Sequence, residues 1–256
     1  MIGQTNSIWK VNSKQKQLIN YIMLYDYGNE CTDITGGWSG YACTTSTSSQ
    51  YGKVAPTVTK NEDHIYVTKT AQNALGCLLT ANKIDVSDYV LFDLCGYFSS
   101  KGNQYAWQHL AMVDGNSGVV SSIKKVGIVA NNEKTGIATM DLSEINKSGY
   151  LGIEYYYYGI TTYTKMYWAA LFKADDWQTL ANKAGIAASS IDDILTNSTT
   201  LLSNDEAVEF MIYRCTGNFM VSAVQSETFL TALNNSPYKT IIMANEHWAK
   251  FLNMIS

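Results

Sequence analysis

The sequence predicts an α+β protein in which an antiparallel jelly-roll β-sandwich is followed by a small C-terminal helical bundle. Short apolar runs recur between turn signals over residues 21–174, which is typical of sandwiches and barrels. Over residues 175–256 the apolar residues are spaced by three and four positions, which indicates helices. Residues 1–20 are polar and lysine-bearing, so we expect an N-terminal arm that needs a partner surface to become ordered.

The strands of the predicted sandwich follow one another at regular spacing. Val90–Phe98 is the strongest of them because it is a long apolar run after a polar turn. Val54–Lys60 and His64–Lys69 flank a short polar segment, which indicates a hairpin. The Gly-, Ser- and Thr-rich stretch Gly36–Gly52 is typical of a long surface loop. The other predicted strands are Tyr21–Tyr25, Tyr105–Val113, Ser121–Ala130, Thr135–Leu142, Tyr150–Tyr158 and Thr164–Phe172.

Helix signals are confined to the C-terminal third of the chain. Ser189 with Asp192 has the spacing of a capping box, and so has Ser203 with Glu206. Asn245 precedes a last helix with apolar residues on one side. The first helix of the bundle is indicated by the apolar positions Trp177, Leu180, Ala181 and Ala184.

Charge is sparse, and this excludes several classes of protein. Charged residues make up only 16% of the 256 residues, the net charge is −4, and Arg214 is the only arginine. Nucleic-acid binding depends on clustered cations, so no nucleic-acid partner is expected. No apolar run reaches the length of about 18 residues that a membrane-spanning helix needs. The N-terminal segment lacks the basic and then apolar order of a secretory signal, so none is expected.

Cysteines and histidines give no framework for metal or disulfide chemistry. The number of cysteines is odd and no Cys-x-x-Cys occurs, which favours reduced, buried cysteines. A bond between Cys31 and Cys43 is the alternative. The three histidines, His64, His109 and His247, lie in distant segments without the spacing of a metal site. We therefore predict no cofactor and no metal.

Motifs for catalysis are weak. Ser39 has Gly37 before it, but Tyr41 stands where a nucleophile elbow needs its second glycine. Acidic pairs at the predicted helix starts suit the helix dipole better than the acid/base pair of a glycosidase. Asp114–Gly118 is typical of a plain turn, because the later bidentate Glu of a calcium loop is missing. The protein is therefore predicted not to be an enzyme.

Aromatic residues are the remaining signal, with 18 Tyr against 7 Phe. Strand alternation places Tyr155 and Tyr157 on one face and their neighbours on the other, so one face is expected to pack in the core. Sugars suit aromatic planes beside amides, because their C–H faces stack and their hydroxyls need fixed partners. Core or subunit-interface positions are the alternative for these side chains. The candidate ligand-binding residues are Trp38, Tyr41, Tyr105, Trp107 and Gln108.

Three segments resemble a known class of protein. Tyr25–Trp38 is similar to the opening, and Lys83–Tyr89 to the entry of an internal strand, of jelly-roll domains in tail and baseplate-associated proteins of bacteriophages that infect gut Firmicutes. Ala207–Ile255 resembles the C-terminal end of such virion proteins. The resemblance implies a virion structural protein of the tail fibre or receptor-binding type, commonly trimeric, and it brings no catalytic residues.

We therefore predict a virion protein that attaches the particle to a glycan on the host surface. Its partners would be other virion proteins, through the N-terminal arm, and further copies of itself in a homo-oligomer, with a trimer favoured. Membrane insertion is not expected. The alternatives are a capsid or tail decoration protein without a ligand and a bacterial carbohydrate-binding module. An enzyme, either a polysaccharide depolymerase or an esterase, is the least favoured alternative.

Overall fold

The computed structural model describes residues 18–68, 71, 73–101, 105–157, 162–174, 234–235 and 239–244. In these ranges the chain is mostly β-strand. The strands are β1 (Leu18–Asp26), β2 (Trp38–Tyr41), β3 (Cys43–Thr44), β4 (Gly52–Lys53), β5 (Thr57–Lys60), β6 (Ile65–Thr68), β7 (Ala74–Thr80), β8 (Ile84–Asp85), β9 (Tyr89–Ser99), β10 (Trp107–Val113), β11 (Gly118–Val119), β12 (Ser122–Ala130), β13 (Glu133–Asp141), β14 (Ser148–Tyr157) and β15 (Tyr163–Ala174). The helices are α1 (Thr32–Thr35) and α2 (Lys239–Ala244).

The strands form two main sheets. The first sheet has six strands in the order β13-β9-β15-β6-β5, with β1 also paired to β15, and every pair in it is antiparallel. The second sheet has seven strands in the order β12-β10-β14-β7-β2, with the short strands β4 and β8 added to β7 and β14. Only the β4–β7 pair of this sheet is parallel. A two-stranded parallel pair, β3 with β11, forms a third, small sheet that shares no strand with the other two.

The core lies between the two sheets. Side chains alternate along a strand, so every second residue of each strand points to the same face of its sheet. Phe92 and Leu94 of the first sheet and Leu110 and Met112 of the second are fully buried in one hydrophobic cluster. This shared cluster makes the protein a β-sandwich, which confirms the predicted antiparallel sandwich over the described residues.

Several strand predictions are confirmed within a few residues. β9 lies where the strongest strand is expected, and β5 pairs with β6 in the predicted hairpin. Tyr155 and Tyr157 are buried in the core, as alternation predicts for one face of their strand. The predicted C-terminal bundle, residues 175–256, lies outside the described residues except for 234–235 and α2. The predicted arm also lies outside them up to residue 17, and β1 begins at Leu18.

The prediction of one long surface loop over Gly36–Gly52 is wrong. This stretch contains β2 and β3 and reaches the start of β4, and β2 pairs with β7. Gly40 of β2 and Gly76 of the paired strand β7 show how closely the backbones pack here. A Cβ on Gly40 would contact the Pro56 carbonyl oxygen, and a Cβ on Gly76 would contact the Val54 carbonyl oxygen. The glycines are therefore needed for close packing of backbones.

Part of the second sheet's outer face is covered and part remains accessible. A small satellite cluster buries one end of this face beneath the β3–β11 pair. Its buried members are Cys43, Cys77, Leu79, Ala111 and Val113. Beyond this cover the outer face carries half-buried aromatic side chains such as Trp107 and His109. None of the helices in the described ranges is long and apolar enough to cross a membrane.

Candidate functional site

Three neighbouring strands of the second sheet place aromatic and charged side chains on one outer surface. On β10, Trp107 and His109 both point outward, because the residue between them points into the core. Trp107 lies opposite Tyr156 of β14, and His109 lies opposite Glu154. Lys125 reaches the same surface from β12. We call these five residues, together with Tyr51, the Trp107 cluster.

The rings of the Trp107 cluster support one another. The Trp107 and His109 ring centroids are 4.2 Å apart with an interplanar angle of 19°, which is a stacked pair. Tyr156 lies 5.9 Å from Trp107 and 4.7 Å from Tyr51, in tilted contacts. Tyr156 is only 5% exposed, whereas Trp107 and Tyr51 are half-buried. Trp107 is thus a braced ring that remains accessible to a ligand.

Glu154 anchors one side of the cluster. Its side chain is completely buried, and its carboxylate accepts hydrogen bonds from the Thr44 hydroxyl at 2.9 Å and from the Thr45 amide at 2.7 Å. The Thr45 hydroxyl lies 3.1 Å from both carboxylate oxygens. Lys125 Nζ donates a further bond of 3.2 Å to Oε2 and another of 2.6 Å to the Thr45 hydroxyl. With this many donors around it, Glu154 holds the Thr44–Thr45 segment and Lys125 in place.

The same lysine also approaches the indole. Lys125 Nζ lies 5.9 Å from the Trp107 ring centroid, within the range of a cation–π contact. Its side chain is about one-third exposed, at 32%. The ammonium group is therefore fixed by Glu154 on one side and directed toward Trp107 on the other. It adds a hydrogen-bond donor beside the half-buried Trp107 ring.

His109 is held mainly in its neutral form. Burial lowers the pKa of His109, and the nearby Lys125 ammonium lowers it further, while Glu154 has a smaller opposing effect. The Nδ1 atom is buried and has no hydrogen-bond partner in the part of the chain that the structure describes. The imidazole serves as a flat support for Trp107. No group of three or more potential metal ligands occurs among the described residues.

Two of the residues predicted to bind a ligand lie in the core. Trp38 is fully buried and donates its indole N–H to the Leu24 carbonyl at 3.0 Å, because β2 turns its ring toward the first sheet. Gln108 is also fully buried, since it alternates with Trp107 along β10. Its amide donates to the Ser99 carbonyl at 2.8 Å and to the Tyr163 carbonyl at 3.1 Å. Both predictions are corrected: these side chains tie the two sheets together.

The other three predicted residues are more accessible. Tyr105 is 55% exposed and lies two positions before Trp107. Tyr41 is half-buried and packs against the satellite cluster from β2, where it lies opposite Cys77. Trp107 is therefore the one predicted residue at the centre of the cluster, and Tyr105 lies nearby in the sequence.

Sequence reasoning missed most of the cluster. His109, Lys125 and Glu154 appear separately in the sequence and join only through strand pairing. The alternation of Trp107 with His109 is the one signal that points to a shared face. The four described cysteines, Cys31, Cys43, Cys77 and Cys95, are free, as expected, and the alternative bond between Cys31 and Cys43 is absent.

Comparison with known proteins gives remote structural likenesses only. No family model and no curated protein matches the sequence. A low-affinity xylan-binding module from the gut symbiont Roseburia intestinalis matches with 8% identity and a TM-score of 0.32, over 47% of this chain and 84% of that one. A second xylan-binding module matches with 12% identity and a TM-score of 0.36, over 61% and 98%. The enzymatically active domain of a bacteriophage tailspike protein matches with 8% identity and a TM-score of 0.31, over 63% and 20%.

Proposed function

We propose that this protein is a glycan-binding module and that the Trp107 cluster is its binding surface. The observation that carries the proposal is the half-buried but accessible Trp107 ring, stacked on His109 and flanked by Tyr156. An aromatic plane offers the C–H faces of a sugar a matching apolar surface. Sugar binding also needs fixed polar groups around that surface, and Lys125 supplies one within reach of the ring.

Rigidity of the cluster favours this function. Trp107 is braced by two other rings, and Lys125 is fixed by Glu154 and Thr45. Side chains that are already ordered lose little conformational entropy when a ligand binds. Because the Lys125 and Glu154 charges compensate each other, the surface suits an uncharged sugar better than a polyanion.

The virion setting is a separate step. Attachment to a host-surface glycan would use the same surface in a tail fibre or receptor-binding protein, and that setting is supported by the sequence resemblance alone. The homo-oligomer and the contacts with other virion proteins likewise remain predictions. A carbohydrate-binding module needs none of these partners, so the Trp107 cluster supports glycan binding in either setting.

A glycan array with the purified full chain tests the proposal. We expect saturable binding to at least one neutral glycan and a loss of up to roughly tenfold in affinity for Trp107→Ala, since a stacked ring contributes about 0.5–1.5 kcal/mol. Tyr89→Ala is the matched control, because Tyr89 is a half-buried aromatic residue of the first sheet. Equal binding by wild type and Trp107→Ala would rule out the cluster as the site.

A steric variant tests the same surface without removing a ring. Gly127 lies opposite His109, and a Cβ there would meet only His109 Cδ2, at 3.7 Å. The space above Gly127 is therefore open. Gly127→Leu should fill it and weaken glycan binding while Trp107 stays in place. A Gly127→Ala variant, which adds a single methyl group, should bind nearly as wild type does.

A further inference from the structure

A second set of half-buried aromatic side chains lies on the outer face of the first sheet. Tyr66 and Tyr163 have ring centroids 5.7 Å apart, and Tyr163 and Tyr97 are 5.6 Å apart. His64 continues the set, at 6.4 Å from Tyr66 and 5.8 Å from Tyr167. All five side chains are half-buried, so each keeps some surface accessible. We call these five residues the tyrosine row.

Strand pairing explains why these rings follow one another. Tyr66, Tyr163 and Tyr97 belong to β6, β15 and β9, which are consecutive strands of the first sheet. Pairing places Lys165 of β15 directly between Tyr66 and Tyr97. Tyr163 lies two positions before Lys165 on the same face, so the three rings follow a zigzag across the sheet around this lysine. An extended chain lying across the strands would meet one ring after another. Discrete small ligands would use only part of this surface.

Polar groups at the two ends of the row are already paired. The Tyr97 hydroxyl donates to Glu133 at 2.8 Å, and Lys101 also pairs with Glu133, at 3.4 Å. At the other end, His64 Nδ1 lies 2.6 Å from the Asp63 carboxylate. Hydrogen bonding from Tyr97 lowers the pKa of Glu133, and Lys101 contributes to the lowering, so this carboxylate stays ionised. Lys165, half-buried between the rings, and Lys101 together balance the carboxylates of Glu133 and Asp63. The row thus offers rings and hydrogen-bonding groups without a strong excess of either charge.

From this arrangement we infer that the tyrosine row is a second glycan-binding surface, which takes an extended, uncharged polysaccharide chain. That the ligand is a glycan rests on the proposed function, whereas the place of this second site rests on the arrangement of the rings alone. The row and the Trp107 cluster lie on the outer faces of opposite sheets, so one chain of a soluble oligosaccharide would occupy each. On a solid polysaccharide the two surfaces would act together and raise the apparent affinity through multivalency.

Isothermal titration with xylohexaose and cellohexaose, and depletion by insoluble xylan and cellulose, test this inference on the full chain. The key variant is Tyr66→Ala/Tyr163→Ala, and its matched control is Tyr66→Phe/Tyr163→Phe, which keeps both rings. For a hexasaccharide that binds, we expect a stoichiometry of two in wild type and in the control. Each of Trp107→Ala and the double alanine variant should retain one site. Apparent affinity for the matching solid should fall roughly tenfold or more in the double alanine variant.

The outcomes separate this inference from the proposed function. A single site that is lost in Trp107→Ala and unchanged in the double alanine variant overturns the tyrosine row and leaves the proposed function standing. A single site lost only in the double alanine variant supports the row and overturns the Trp107 cluster. If none of the four glycans binds to the wild type, the inference is wrong. Thermal unfolding of each variant establishes that it is folded.

Light scattering supplies one further test. A tyrosine row that serves as a contact between copies of this chain would change the oligomeric state in the double alanine variant. An altered mass together with unchanged glycan binding would overturn the inference, because the row would then be a subunit interface. An unchanged mass together with a lost glycan site supports it.

Discussion

The Trp107 indole and the His109 imidazole stack on the outer face of the second sheet, with their ring centroids 4.2 Å apart. Gln108, which separates them in the sequence, points into the core. Strand alternation alone places them side by side. The stack covers one side of Trp107 with an imidazole whose pKa is lowered by burial, so that it gains its charge only on acidification. The protonation state of His109 therefore affects both the fold and the ring that is proposed to bind sugar.

Stability should fall on acidification in a way that depends on His109. Burial and the Lys125 ammonium lower the pKa of His109, so the folded protein binds fewer protons than the unfolded chain. This contribution is present in full above the unfolded pKa of about 6.5 and is lost as pH falls through the folded value. We expect the Tm difference between pH 7.5 and pH 5 to be smaller in His109→Gln than in wild type. Differential scanning fluorimetry measures it.

The control for this pH effect is His64→Gln, which removes another partly buried histidine. This variant should keep the greater part of the wild-type change in Tm between the two pH values. Indistinguishable pH profiles for wild type and His109→Gln would contradict the assignment of the effect to His109.

Removal of the Glu154 carboxylate should destabilise the protein by about 2–4 kcal/mol. Glu154→Ala would leave Lys125 and the Thr45 amide without their acceptor, and loss of one partner of a buried charged pair is costly. Because Lys125 is partly exposed and can regain water, we expect a value toward the lower end. Urea denaturation at pH 7 gives the change in the free energy of unfolding.

Glu133→Ala is the matched control for Glu154→Ala. Glu133 also pairs with a lysine, but its side chain is 41% exposed and that of Lys101 is 67% exposed. Exposed ion pairs typically contribute less than about 1 kcal/mol. A Glu133→Ala variant as unstable as Glu154→Ala would show that burial is not the source of the difference.

Two glycines of the second sheet should differ strongly in how much stability an added methyl group costs. Gly152 is packed so closely that a Cβ there would contact the Leu78 carbonyl oxygen. Since this obstacle is backbone, Gly152→Ala requires the strands to move, and we expect a loss of about 2 kcal/mol or more. Gly127→Ala has room and should change stability by less than about 1 kcal/mol. Thermal unfolding of both variants checks the contrast, and equal effects would contradict it.

Alternation and turn signals explain which strands the sequence predicts. β9 and the β5–β6 hairpin have clear turns beside them, so both were predictable. β7 was missed because all seven of its residues are buried, and a strand buried on both faces has no alternating pattern. The stretch that includes Trp38 has a loop-like composition, yet Trp38 anchors the core through its bond to the Leu24 carbonyl. The Gly, Ser and Thr residues around Trp38 dominate the composition of this stretch, so composition alone does not reveal that Trp38 packs in the core.

The candidate site was predictable only in its aromatic part. Trp107 stands out as a tryptophan in a predicted strand, but the polar residues beside it come from β12 and β14. Strand order in a sheet cannot be read from local patterns, because it depends on pairing between distant segments. Glu154 and Lys125 are 29 positions apart and meet only once the sheet has formed. The same reason hid the tyrosine row, because its four tyrosines come from three separate strands.

Asp93→Asn should stabilise the protein at neutral pH. The Asp93 side chain is completely buried on β9, and among the described residues no cation pairs with it. Burial raises the pKa of Asp93 well above its usual range, and the Thr139 hydroxyl opposes this only in part. The folded protein therefore holds a proton that the unfolded chain releases above a pKa of about 3.9. Stability is lost as pH rises from that value toward the folded pKa.

The size of the stability gain in Asp93→Asn follows from the proton that the buried Asp93 carboxyl retains. Keeping the carboxyl neutral costs about 1.4 kcal/mol for each pH unit above the unfolded pKa, so the penalty at pH 7 reaches at most about 4 kcal/mol. Asp93→Asn removes this penalty while keeping the shape of the side chain. We expect a higher Tm than wild type at pH 7 and a gain that shrinks to nothing near pH 4. Asp88→Asn, at an exposed position, should give no such pH-dependent gain. A Tm gain for Asp93→Asn that is the same at pH 4 and pH 7 would show that charge burial at Asp93 is not its cause.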